Sequence, residues 1–89
     1  MDKKILVVDD DYTALRVIGY ALKQEGYDVL TAAHGQAALR MASETDLVIL
    51  DIMMPDIDGY KICRRLRANP DTRQLPIIML SAKAQVLIS

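Results

Sequence analysis

Between Leu47 and Gly59 the chain reads Leu-Val-Ile-Leu-Asp-Ile-Met-Met-Pro-Asp-Ile-Asp-Gly. The first part, Leu47 to Leu50, is apolar without interruption and half β-branched. An unbroken run of this length reads as a strand buried on both faces, the kind found in parallel sheets covered by helices on each side. The run stops at a carboxylate, Asp51. Pro55 and Gly59 then impose a loop, and a helical pattern follows. In a parallel sheet such a strand carries Asp51 to the C-terminal edge, where α/β proteins place their ligands. Taken alone, Asp51 also has a plainer reading, because aspartate is a common turn residue and can simply end the strand.

The same unit recurs along the chain. Ile5-Leu6-Val7-Val8 reads as a first buried strand that ends at Asp9-Asp10-Asp11. Ala14, Val17, Ile18, Ala21 and Leu22 then repeat at helical spacing, and Gly26 is placed to close that helix. Asp28 to Ala32 forms a second strand. A turn at His34-Gly35 leads to a second helix, roughly residues 36–43, with Ala38, Leu39 and Ala42 on one face. A third helix runs from about Asp58 to Ala68 with Gly59, Ile62, Cys63 and Leu66 inward, and Asn69-Pro70-Asp71 breaks it. Pro76 to Leu80 is the fourth strand, followed by Ser81-Ala82-Lys83. Strands alternating with helices predict right-handed βαβ units on one parallel sheet. Parallel strands share a C-terminal edge. If strands 1, 3 and 4 are neighbours, Asp9, Asp10, Asp51 and Ser81 meet there.

Bulk properties narrow the function classes. Eighty-nine residues make one small domain, and 52% hydrophobic with 26% charged residues is a globular balance. A net charge of −1 gives no electrostatic case for a nucleic-acid or membrane surface. The single cysteine, Cys63, has no internal disulfide partner, which fits a reducing, cytoplasmic setting. No signal peptide and no membrane-spanning run are visible.

The acidic edge has its own chemistry. Two unit charges ~4 Å apart repel by about 4 kcal/mol at an effective dielectric near 20. Three clustered carboxylates therefore need a cation or must take up protons. Hard oxygen ligands suit Mg²⁺, which keeps positions for water and a phosphate oxygen. A carboxylate beside such an ion can act as a nucleophile toward a phosphoryl group and form an acyl phosphate. The Ser81 hydroxyl can donate to a phosphoryl oxygen.

Val7-Val8-Asp9-Asp10-Asp11, the stretch Asp51-Ile52-Met53-Met54-Pro55-Asp56-Ile57-Asp58-Gly59 and Leu80-Ser81-Ala82 together resemble the receiver domain of two-component response regulators, in order and spacing, over nearly the whole chain. The resemblance implies a flavodoxin-like α/β fold with strand order 2-1-3-4-5. It implies Asp51 as phosphoacceptor and Ser81 as the switch hydroxyl. It implies Mg²⁺ ligated by Asp10, Asp51 and the backbone carbonyl of Met53, with Asp9 acting through water. The phosphoryl source it implies is a sensor histidine kinase, a phosphotransfer protein or a small phosphodonor, and the chain is expected to be a phosphoacceptor and not a turnover enzyme.

The chain also departs from that family. Receivers carry a lysine at the end of a fifth strand, and these residues end at Ser89 before a fifth strand and fifth helix can be built. Lys83, two residues after Ser81, is not that lysine. The expectation is a single domain over residues 1–89, sheet order 2-1-3-4, with slower phosphoryl uptake. Strand 4 would be an unpaired edge, and strands 3 and 4 would be bare on the face of helix 1. Such a surface predicts a homodimer, with Val86-Leu87-Ile88 able to pair across chains. Two rival functions are an aspartate-nucleophile phosphatase, whose D-x-D pattern the contiguous Asp9-Asp10-Asp11 does not match, and a degenerate receiver that only contacts proteins. Among the remaining residues, Asp11 is expected to cap the first helix, His34 to be a solvated loop residue and Cys63 to be core. Met53 and Met54 are expected to pack under their loop, with help in receiving a partner kinase as the alternative. Arg64, Arg65, Arg67 and Arg73 should form a solvated face.

Overall fold

The computed structural model describes residues 2–80 and 86–88. β1 (Lys4–Val8), α1 (Tyr12–Gln24), β2 (Asp28–Ala32), α2 (Gly35–Met41), β3 (Leu47–Asp51), α3 (Gly59–Ala68), β4 (Ile77–Leu80) and β5 (Val86–Ile88) follow in that order, with one 3-10 turn, Ala42–Glu44, after α2. The sheet order is β2-β1-β3-β4-β5. The first four strands are parallel, in the 2-1-3-4 arrangement expected of a flavodoxin-like chain. Among the described residues there is no fifth parallel strand. Residues 86–88 instead run antiparallel beside β4, with Met79 opposite Leu87. The expectation of an unpaired β4 edge is corrected accordingly: its backbone groups find partners within the same chain, so exchange between chains is not needed to satisfy them.

Strand alternation sorts the core into two layers. Leu6, Val8, Val48, Leu50, Ile77 and Met79 are buried with Ala38, Ile62, Cys63 and Leu66 of α2 and α3. Ile5 and Val7 pack on the other face with Leu15 of α1, flanked by Ile18, Leu22 and Val29. On that second face Leu47, Ile49, Ile78 and Leu80 are only half-buried, because α1 is the one helix there among the described residues. The patch expected to be bare over β3 and β4 is therefore partly covered, and none of its four residues is exposed.

Local chemistry sets the helix ends. Asp11 caps α1, its carboxylate accepting from the Thr13 N–H at 2.9 Å. Gly26, at φ +92°, closes it: the Gly26 N–H donates to Lys23 and the Tyr27 N–H to Leu22, the paired bonds of a Schellman ending. The rotation of α1 differs from the spacing-based expectation. Leu15 and Gly19 are buried, whereas Val17 is 63% exposed. Gly19 packs over β2, where a Cβ would make an ordinary contact 3.6 Å from the Val29 side chain. Arg67 also departs from a solvated face, since its guanidinium donates to the carbonyls of Arg73 and Leu75 and ties the segment before β4 to α3. Cys63 is core and His34 is exposed, as expected.

Candidate functional site

Register builds the site. Val8 lies opposite Leu50 across the β1–β3 pair, so the next residues along the chain, Asp9 and Asp51, come side by side at the C-terminal edge. Asp10 follows Asp9 directly. One carboxylate oxygen from each of Asp9, Asp10 and Asp51 lies within 4.8 Å of the others. The three acids that the sequence placed on one edge therefore do meet. Asp51 pairs with Leu80 across β3 and β4. The next residue after Leu80, Ser81, lies outside the described residues, as does Lys83.

The loop that carries Asp51 is held at several points. The Ile52 N–H donates to the Leu80 carbonyl at 3.0 Å, and the Gly59 N–H returns to the Ile52 carbonyl at 2.9 Å. Asp51 Oδ1 accepts from the Met53 N–H at 3.1 Å. Met54 and Ile57 are buried while Met53 is 65% exposed, so only the second methionine packs under the loop. Asp58 caps α3 through the Lys61 N–H at 2.8 Å. Gly59 is fixed by close approach: a Cβ there would sit 2.7 Å from Ile52 Cα and 2.8 Å from the Asp51 carbonyl oxygen. The start of α3 thus presses against the backbone that presents Asp51.

Asp56 has a positioning role that sequence reasoning missed. Its carboxylate accepts from the Gly35 N–H at 2.9 Å and from the Gln36 N–H at 3.4 Å, binding the Asp51 loop to the start of α2. The Gly35 N–H, helped by those of Gln36 and Ile57, holds the Asp56 carboxyl below its ordinary pKa. The one available signal was the residue pair itself, an exposed acid and a helix start 21 positions apart.

Among the described residues no Lys or Arg pairs with Asp9, Asp10 or Asp51. Burial first, and then the carboxylates of Asp51, Asp10 and Asp11, push the Asp9 carboxyl above its ordinary pKa, against the pull of the Asp11 N–H, which donates to it at 3.0 Å. Three oxygen donors, two of them half-buried, fit a hard divalent cation in type and spacing. A raised carboxyl pKa has a definite sign in stability. The folded state disfavours ionised Asp9, so the cost is present above the folded pKa and disappears as pH falls through it. Asp9→Asn should accordingly raise the melting temperature at neutral pH without metal. The gain should vanish in acid and shrink when Mg²⁺ is added; thermal melts under the three conditions check this.

No described helix is long and apolar enough to cross a membrane. The sequence matches the family described as response regulator receiver domain over residues 5–88. It is 45% identical over 85 residues to PhoP of Bacillus subtilis, an alkaline phosphatase synthesis transcriptional regulatory protein, covering 93% of this chain and 35% of that protein. The chain therefore spans about a third of that curated relative's length. Two solved structures share the fold at useful identity. TrrA from Thermotoga maritima, a response regulator protein in complex with Mg²⁺ and BeF, superposes with a TM-score of 0.82 at 39% identity, covering 90% of this chain and 70% of that one. The receiver domain of sensor histidine kinase PA1611 from Pseudomonas aeruginosa, with magnesium coordinated in its active-site cleft, gives a TM-score of 0.87 at 36% identity, covering 94% and 70%. With the acid-bearing strand ends, the 2-1-3-4 parallel sheet and a match over residues 5–88 in agreement, this chain belongs to the receiver-domain family of two-component response regulators.

Proposed function

We propose that Asp51 accepts a phosphoryl group, with Mg²⁺ held by Asp10, Asp51 and the Met53 backbone carbonyl and with Asp9 acting through water. The observation that carries this reading is the convergence of the Asp9, Asp10 and Asp51 oxygens within 4.8 Å at the end of β3. The Mg²⁺-bound state of TrrA and of the PA1611 receiver supports it by family likeness. The bound ion would neutralise carboxylate and phosphoryl charge during transfer. The chain's own residues do the rest. The Met53 N–H holds one Asp51 oxygen and orients the carboxylate. An Asp51 oxygen attacks phosphorus in line, and an O–P bond forms as the bond to the donor breaks. The electron pair leaves with the donor, a phosphohistidine nitrogen of a sensor kinase or phosphotransfer protein, or the acyl oxygen of a small phosphodonor. Ser81 is the residue proposed to donate its hydroxyl to the transferred group.

Incubation with acetyl phosphate, read by intact mass, tests the proposal. One phosphoryl group should add in the presence of Mg²⁺ and none in its absence. Labelling of these 89 residues should be slow, because β5 runs antiparallel and brings no lysine to the end of a fifth parallel strand. Metal-independent labelling, or steady turnover of a phosphate monoester, would overturn the reading and favour a phosphatase.

The half-buried Leu47, Ile49, Ile78 and Leu80 support a homodimer through the face that α1 covers only in part. Light scattering across a dilution series should show twice the 9.9 kDa chain mass at high concentration. A 9.9 kDa species that persists throughout the series would remove the dimer from the proposal.

A further inference from the structure

A groove of about 960 Å³ lies between α1 and β2, and its lining includes none of the acids of the cluster and no residue of β3 or β4. Its helix wall is the stripe Tyr12, Arg16, Tyr20 and Lys23, and Gly19 and Val29 form its floor. Tyr12 and Tyr20 are 69% and 67% exposed, although aromatic rings of this size usually find cover. The lining residues include two cations and no carboxylate, and among the described residues neither Arg16 nor Lys23 has an ion-pair partner. β2, which forms the opposite wall, is the outer strand of the sheet with β1 on one side only.

The ladder shows which backbone groups of β2 remain free. The Asp28 N–H donates to the Lys3 carbonyl, and the Ala32 carbonyl accepts from the Asp9 N–H. In a parallel strand, alternate residues bond to the same side. Asp28, Leu30 and Ala32 therefore turn their backbone groups toward β1, and Val29 and Thr31 turn theirs outward. Val29 and Thr31 are also the residues whose side chains line the groove. An open strand edge thus runs beside an aromatic trough with a basic wall.

We propose that this edge receives an extended, acidic segment of a partner protein, which pairs with Val29 and Thr31 as an added strand. Its apolar side chains would enter the trough between Tyr12 and Tyr20, and its carboxylates would meet Arg16 and Lys23. Strand addition draws affinity from main-chain bonds and specificity from pockets for alternate side chains, and this groove offers both. A second copy of this chain is a poor occupant. Two β2 edges paired about a two-fold axis normal to the sheet would set both α1 helices on one face, with Arg16 and Lys23 of each copy facing like charges.

The probe is a fluorescein-labelled peptide with Thr at every second position and Glu and Val taking turns at the others, so that Glu and Val both meet the α1 face, with a counterpart carrying Lys in place of Glu, followed by anisotropy. The Glu peptide should bind and the Lys peptide should not. The exposed double variant Arg16→Glu with Lys23→Glu should weaken the Glu peptide by tenfold or more and gain the Lys peptide, while phosphoryl labelling of Asp51 stays unchanged. Amide exchange at Val29 and Thr31 should slow on binding. Absence of binding, equal binding of both peptides, binding without protection of Val29 and Thr31, or a helical bound peptide would each overturn the proposal. So would self-association abolished by the double variant, which would identify the edge as a contact between copies.

Discussion

Asp51→Asn is expected to abolish phosphoryl uptake from acetyl phosphate and to weaken Mg²⁺ binding by tenfold or more, while leaving the fold intact. The three effects have separate causes. An amide oxygen is a poor nucleophile and cannot form an acyl phosphate, so labelling fails chemically. Removing one of three negative donors takes away Coulomb attraction for a divalent ion, and each tenfold loss corresponds to about 1.4 kcal/mol. The fold survives because the Asn carbonyl oxygen can still accept the Met53 N–H that Asp51 Oδ1 now accepts at 3.1 Å. Stability without metal should even rise, since the clustered oxygens of Asp9, Asp10 and Asp51 repel one another. Intact mass, calorimetric titration of Mg²⁺ and a thermal melt separate the three effects. A variant that labels as well as the parent would move the phosphoacceptor elsewhere. A variant that fails to fold would show that Asp51 is chiefly structural.

Gly59→Ala should destabilise the domain by roughly 1–3 kcal/mol, the usual range for forcing atoms into a filled space. The added methyl would lie 2.7 Å from Ile52 Cα and 2.8 Å from the Asp51 carbonyl oxygen, and both are backbone atoms that cannot rotate away. Relief requires α3 to move off the end of β3. That movement would break the Gly59 N–H bond to the Ile52 carbonyl and disturb the turn that orients Asp51, so Mg²⁺ affinity should fall along with stability. Gly19→Ala is the matched control. Its methyl would meet only Val29 at 3.6 Å, an ordinary contact, and replacing a helical glycine removes backbone freedom from the unfolded chain. A gain of roughly 0.5–1 kcal/mol is expected at that position. Urea unfolding of both variants, with Mg²⁺ titration of the folded forms, tests the pair. Equal and small effects at the two glycines would mean that α3 is free to slide over the Asp51 loop.

The parts of this protein that were legible in its sequence are those governed by local chemistry. Apolar runs of four or five residues, each stopped by an acid or a turn residue, located β1, β3 and β4, because a strand buried on both faces leaves no room for polar side chains. Gly26 and Asp11 announced the ends of α1 because capping depends on a few neighbouring residues. The acids of the site were legible for the same reason: parallel strands deliver whatever follows them to one edge, so Asp9, Asp10 and Asp51 could be placed together before any contact was known.

What only the tertiary structure decided depends on surfaces meeting across the chain. The rotation of α1, which exposes Val17 and buries Leu15 and Gly19, is set by packing against the sheet, and periodicity alone cannot distinguish that from a stripe one position away. The bond from Asp56 to the start of α2 joins residues 21 apart, and the guanidinium of Arg67 holds carbonyls beyond its own helix. Residues 86–88 return antiparallel to β4 because an open strand edge offers unpaired donors and acceptors to whatever chain can reach it. The exposed edge of β2 carries the same unspent hydrogen bonds, and the groove beside it exists only where α1 packs against that strand. Local sequence determines which elements form and what their ends carry, whereas register, helix rotation and the pairing of edges are fixed by packing between segments distant in the chain.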